Sequence, residues 1–237
     1  MKSQQSFDAE EGFYRKSIAP KLRELILGGQ DGLVNVLGIV LGVATATATT
    51  KIVLIAALAA TFAESISMGA VAYTSTKAAY EYYKSKLEKE KHEIETIPEI
   101  EKEEVREIYR KKGFRGRLLE EIVAKITSSK KVWLDTMMAE ELRLFPEEYK
   151  NPLTSGFRVG FASFAGSFVP IIPFFLFSVQ QAVTISIFVS VLVLFFIGAA
   201  KAKLTIGDWK KQGLELAAIG TSAALVGYVV GLALQTL

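Results

Sequence analysis

Cysteine is missing from all 237 residues, and histidine occurs once, at His92. Disulfides, thiolate metal sites and cysteine nucleophiles are thereby excluded. No nucleophile–base motif can be assembled around the single imidazole, so the chain does not read as an enzyme or as the holder of a prosthetic group. An excess of charge of one sign is also lacking. Twenty-eight basic residues face 25 acidic ones, for a formal net charge of +3. Without a basic stripe interleaved with aromatics, nucleic-acid recognition is excluded. The opening residues, MKSQQSFDAEEGFYRKS, lack the basic-then-apolar order of a cleaved leader. The first apolar segment is therefore expected in the mature protein.

Charge itself is scarce over long stretches. Between Asp31 and Tyr73 the only charged residues are Asp31, Lys51 and Glu64, and between Phe157 and Ala200 only Arg158. Between Lys77 and Lys150, by contrast, roughly half the residues are charged, with the signs mixed. This segregation reconciles a mean hydropathy of +0.30 with 22% charged residues. It describes a membrane protein with an aqueous insert.

A bilayer core of about 30 Å needs roughly 20 apolar helical residues to cross it. Five segments meet that length: Leu25 to Ala48, Ile52 to Tyr73, Phe157 to Phe177, Val183 to Ala200, and Leu214 to Leu234. They do not alternate polar and apolar residues, so the spans are helices rather than barrel strands. The expected fold is an all-α membrane protein of five transmembrane helices, with a cytosolic helical insert between the second and third. The expected organisation is an N-terminal amphipathic segment (1–24), spans one and two (25–76), the insert (77–156) and spans three to five (157–237). Lys and Arg crowd one side, with Lys2, Arg15, Lys16, Lys21 and Arg23, then Lys201, Lys203, Lys210 and Lys211. Lys51 stands alone on the other. That asymmetry puts the N-terminus and the insert in the cytosol. Membrane lipid is the one partner that the spans require. The Lys/Glu content favours a prokaryotic cell membrane over a vacuolar one.

The insert reads as about three helices. The first, Tyr80 to about Thr96, continues the second span. Pro98 then interrupts, a second helix ends at Lys112 and Gly113, and a third stretch covers Leu118 to Leu144, broken around Thr127–Ser129. Phe13 to Leu25 reads as an amphipathic helix at the interface. Gly28/Gly32, Gly38/Gly42, Gly156/Gly160 and Gly227/Gly231 form small-xxx-small pairs suited to close helix packing. Pro170 and Pro173 are expected to kink or break the third span.

An ionisable side chain inside a span costs at least ~2.5–3.5 kcal/mol at mid-membrane, so each one present calls for a role. Asp31 and Asn35 lie four apart on the first span. Glu64, Ser67 and Met68 share a face of the second by i, i+3, i+4 spacing. A tight hairpin makes the two helices neighbours, so carboxylate, amide, hydroxyl and thioether can line one seam. Oxygen ligands with a thioether suit a borderline transition metal such as Fe2+ or Mn2+ better than Mg2+ or Ca2+. In the insert, Glu90 with Glu93 and Glu101 with Glu104 are three apart, and Met137, Met138 and Glu141 repeat the mixture. Spacing alone leaves two readings of the insert open: metal binding, or a solvated Lys/Glu face with ion pairs such as Lys89–Glu93.

The stretch LRELILGGQDGLVNVLGIVLGVATAT resembles the first span of the vacuolar iron transporter family. AESISMGAVAYTSTKA resembles its second span, and VWLDTMMAEELRL the end of its cytosolic metal-binding domain. The likeness runs from Leu22 to the C-terminus. It implies a five-helix homodimer that moves Fe2+ out of the cytosol in exchange for protons, with the pore between subunits. It also implies Asp31 and Met68 as pore ligands, and Glu90, Glu93, Glu101, Glu104, Met137, Met138 and Glu141 as the cytosolic metal site. Two departures bear on proton coupling. Val71-Ala72-Tyr73 stands where many members carry Gly-Glu-Tyr, and Ala60 stands where others carry a glutamate, one turn before Glu64. The competing class is a membrane-anchored metal sensor or buffer without transport.

Overall fold

A computed structural model describes the backbone of residues 2–146, 151–204 and 207–235, and the side chains of 21–146, 151–203 and 207–235. Its helices are α1 (Lys2–Thr47), α2 (Thr50–Thr96), α3 (Pro98–Lys111), α4 (Gly116–Thr127), α5 (Lys130–Thr136), α6 (Pro152–Ile171), α7 (Pro173–Leu176), α8 (Val179–Leu204) and α9 (Trp209–Gln235). A π-helical turn, Met137–Glu141, follows α5. The chain divides into two compact units, Met1–Tyr73 with Leu153–Leu237, and Thr74–Pro152. The helix α2 contributes to both.

In the first unit α1 is the central helix. Val36, Leu37, Val40, Leu41 and Ala44 of α1 are buried against Val53 and Ala57 of α2, Ile171 of α6, Phe174 of α7, Ala182 of α8 and Ala224 of α9. A helix apolar on every side is stable only when it is surrounded. Outward-facing side chains of the outer helices are apolar as well, among them Phe157, Phe188 and Leu225. Such a surface matches lipid rather than water. Four helices among the described residues are long and apolar enough to cross a membrane: Lys21–Thr47, Thr50–Thr96, Val179–Lys203 and Trp209–Gln235. The third expected span, Phe157 to Phe177, falls in α6 and the four-residue α7. The glycines and serines of α6 dilute its apolar content. Pro173 cannot donate to the ladder, so the helix stops at Ile171 and restarts. Ser186 Oγ donates to the carbonyl of Pro170 at 2.8 Å, satisfying backbone near the break.

The expected interfacial helix before the first span is continuous with it, since α1 runs unbroken for 46 residues. The side chains of Phe13, Tyr14, Arg15, Lys16 and Ile18 lie outside the described residues.

All four small-residue pairs of this unit are used in close crossings: Gly28 and Gly32 on α6, Gly38 and Gly42 with Gly227 and Gly231 of α9, and Gly156 and Gly160 on α2. Removing the side chain lets backbones touch, which is what drives helix association where water is absent. The fit is asymmetric, and this gives a sharp expectation. A Cβ on Gly32 would strike the Ser163 backbone carbonyl and lie 2.7 Å from Ser167 Oγ, whereas a Cβ on Gly38 would stand 3.7 Å from the Ala223 carbonyl. Gly32→Ala should therefore lose about 1–3 kcal/mol through overpacking, and Gly38→Ala should be neutral or slightly stabilising. Thermal unfolding of the two variants in detergent checks this. Equal melting temperatures would contradict the crossing.

The second unit has its own small core, with Ile94 of α2, Val105 of α3, Leu119, Val123 and Ile126 of α4, Trp133 of α5 and Met137. Pro98 opens α3 at a position that needs no N–H, and the Ile97 amide closes α2 on the Glu93 carbonyl at 2.8 Å. Gly113, at φ +99°, ends α3 in the left-handed region that glycine enters without strain. Arg106 clamps Glu120 with two parallel bonds of 2.9 and 3.0 Å, tying α3 to α4.

Candidate metal centre

Each unit gathers one cluster of oxygen donors. In the first, Ala48 takes φ +49° and the chain reverses after Thr47, with the amides of Ile52 and Val53 both on the Thr49 carbonyl at 3.1 Å. The hairpin lays α2 along α1 and brings Asn35 to Glu64. Asn35 Nδ2 donates to Glu64 Oε1, and the Asp31 carboxyl reaches the same Glu64 carboxyl. Asp31, Glu64 and Met68 are half-buried, while Asn35 and Ser67 are exposed. Met68 follows Glu64 by one turn of α2. Gly32, wedged against the Ser163 backbone and the Ser167 hydroxyl, fixes the α1 backbone next to Asp31. Two carboxyls side by side in a span repel unless a proton or a cation offsets them. The seam offers carboxylate, amide and thioether donors for that cation.

In the second unit the α2–α3 hairpin folds the first turn of α3 back onto the end of α2. Glu90, Glu93, Glu101, Glu104 and Glu141 line one cleft, with Lys86 and Lys89 also on its wall. Glu90 and Glu101 are only 4% and 3% exposed. They hydrogen-bond each other across the hairpin, which leaves Glu90 Oε1 and Glu101 Oε2 buried without a partner. Buried oxygens of that kind are costly unless something occupies them. Burial first, then the bond to Glu101 and repulsion from Glu101 and Glu141, pushes the Glu90 carboxyl up to about 8. Burial also raises Glu101, aided by Glu104 and Glu93, although its bond to Glu90 acts the other way. The two carboxyls therefore share a proton as one coupled pair. Glu141 is exposed as a residue yet lines the cleft, and partial burial followed by repulsion from Glu104 and Glu101 pushes it up to about 7. Lys89 pairs with Glu93 at 3.0 Å, the ion pair that the spacing predicts.

Two methionines sit apart from these oxygens. Met137 is fully buried in the core of the unit, and Met138 is buried as well. Neither lines the cleft. The π turn accounts for part of the difference from α-helical spacing. The Leu142 amide bonds the Met137 carbonyl, five residues back, at 3.2 Å. The wider turn changes the register by which Met138 and Glu141 would share an α-helical face. Turns of this kind recur at functional sites. Among the described residues, no three acidic or histidine side chains stand close enough together to enclose an ion as placed. His92 is exposed and does not line the cleft.

The span taken to begin at Leu25 leaves Glu24 out of the expected set, although it lies seven residues before Asp31 and shares its stripe of α1. That spacing is the signal that could have found it.

The sequence profile of the VIT family matches residues 22–232. The chain is 31% identical over 215 residues to vacuolar iron transporter 1 of Arabidopsis thaliana, covering 90% of this chain and 86% of that protein. It is 32% identical over 216 residues to vacuolar iron transporter 1 of Eucalyptus grandis, covering 91% and 87%. It is 30% identical over 224 residues to the vacuolar iron transporter of Plasmodium falciparum, covering 90% and 82%.

Proposed function

We propose that this chain, which belongs to the VIT family, exports divalent metal, Fe2+ foremost and Mn2+ as a second substrate, from the cytosol across a membrane. The relatives' name, vacuolar iron transporter, supports metal transport as the activity. The observation that carries the reading is the meeting of the Asp31 and Glu64 carboxyls between two helices of the spanning unit. An anchor gains nothing from two acids at that place, so the sensor or buffer is not favoured.

In this reading α6 with α7 is the third of five spans, and the insert lies in the cytosol. Two copies of the chain face each other so that both Asp31 and both Met68 side chains border one path. Glu90, Glu93, Glu101, Glu104 and Glu141 collect the ion, with Met138 and Met137 as thioether donors once the π turn adjusts. The ion then passes to Asp31, Glu64 and Met68. Protons travel the other way, because a protonated carboxylate no longer attracts the cation, so proton and metal compete for the same oxygens. The preference for a prokaryotic cell membrane has no support among the relatives, which come from plants and parasites and carry the word vacuolar in their names.

The exchange has a direct consequence. Fe2+ uptake by proteoliposomes, measured with a metal-quenched dye, should speed up several-fold when the interior is made acidic. Uptake that is indifferent to the gradient would remove proton exchange while leaving metal transport in place.

A further inference from the structure

Glu24 of α1 and Arg158 of α6 form an ion pair that the metal path described above does not use. Arg158 Nη1 donates to Glu24 Oε2 at 3.2 Å, and Ser155 Oγ lies 2.9 Å from Glu24 Oε1. The two charged side chains are 13% and 31% exposed, the glutamate being the more enclosed. Their positions are fixed nearby by backbone packing, since a Cβ on Gly28, one turn after Glu24, would strike the carbonyl of Val159, the neighbour of Arg158.

Register makes the pair more than a brace. Glu24, Asp31 and Asn35 follow each other at seven and four residues, so they occupy one stripe of α1. Glu24 stands roughly 10 Å along the helix axis from Asp31. The guanidinium of Arg158, on α6, sets a cation beside that stripe. A divalent ion approaching along the acids is attracted by Glu24 and repelled by Arg158. At about 10 Å and an effective dielectric of about 50, between that of a protein surface and bulk water, the repulsion felt by a +2 ion is large enough to change occupancy about tenfold.

We propose that Arg158 is a specificity-setting counter-ion that latches Glu24 on the route to Asp31. While the pair is closed, the carboxylate is neutralised and the route admits cations weakly. Entry of a divalent ion requires that it replace the guanidinium on Glu24. The ion's +2 charge does this where a monovalent ion cannot. This inference rests on Asp31 lying on the metal's route.

The test is Fe2+ uptake kinetics in proteoliposomes for the wild type, Asp31→Ala, Arg158→Gln, Arg158→Lys, Glu24→Gln and the double variant Glu24→Gln/Arg158→Gln. Removing the cation in Arg158→Gln should lower KM about tenfold. Arg158→Lys, which keeps the charge, should stay near the wild type. Glu24→Gln, which leaves Arg158 uncompensated, should raise KM about tenfold, and the double variant should return toward the wild type. A purely structural brace predicts lower maximal rates at unchanged KM and a double variant no better than either single one, and that result overturns the latch. Asp31→Ala separates the two levels. Full activity in that variant refutes the route and the latch with it, whereas loss of activity there beside an unchanged KM across the Arg158 and Glu24 series overturns the latch alone.

Discussion

Asp31→Ala is expected to cut Fe2+ flux by at least about a hundredfold while the protein still folds. Asp31 is half-buried and stands outside the core built by Val36, Leu37, Val40 and Leu41. The tight contact that sets the local geometry is made by the backbone of Gly32. Alanine keeps all of that and removes only the carboxylate. What remains is Glu64, held by Asn35, without the second acid needed to offset a +2 ion. Losing one partner of a desolvated charge pair typically costs about 3–5 kcal/mol, or about two to four decades in an equilibrium constant. Asp31→Glu keeps the charge but moves it by a methylene, so an intermediate flux is expected. Normal transport by Asp31→Ala, measured beside an unchanged elution profile, would show that the ion does not pass this seam.

The second large effect concerns the insert and its dependence on pH. Glu90 is pushed up to about 8 and Glu141 to about 7, from an ordinary value of 4.5. Between about pH 4.5 and these values the folded chain binds protons that the unfolded chain has released. Their contribution to stability is thus fully present below about pH 4.5 and is lost as pH rises through about 7 and then 8. The metal-free protein should melt at a lower temperature at about pH 8.5 than at about pH 5.5, with a divalent ion restoring the loss at the higher pH. Trp133 lies in the insert core and Trp209 opens α9, so a Trp209→Phe variant confines the fluorescence signal to the insert. Metal affinity should weaken progressively as pH falls below about 8, since each bound ion must displace protons. Glu90→Gln and Glu101→Gln should each lower that affinity by at least about tenfold and flatten its pH dependence. A wild-type affinity that is constant from about pH 6 to pH 8.5 would contradict carboxylates that share a proton.

Much of this was legible in the residues, for definite physical reasons. Apolar length marks α1, α2, α8 and α9, because the cost of burying backbone in lipid leaves helices as the only economical form. The glycine pairs announce the crossings because only a missing Cβ allows that approach. Pro98 and Gly113 bound α3 because one lacks an N–H and the other tolerates positive φ. What spacing did not reveal was mostly tertiary. Glu90 and Glu93 look like a pair on one helix face, yet the buried contact is between Glu90 and Glu101, across a hairpin whose closure no local pattern encodes. The π turn at Met137–Glu141 carries no signature in MMAEE, and it alters the face on which Met138 and Glu141 lie. The junction from the N-terminal segment into α1 has no stop signal, so a helix read as two pieces is one. Glu24 escapes notice because its partner Arg158 is 134 residues away in the chain.

Fe2+ flux through the purified protein in sealed proteoliposomes tests the central claim most directly. The account predicts metal accumulation that saturates with Fe2+, depends on Asp31 and is competed by Mn2+. Fe2+ that binds the protein stoichiometrically, with no metal appearing inside the vesicles, would contradict transport and leave an anchored metal buffer.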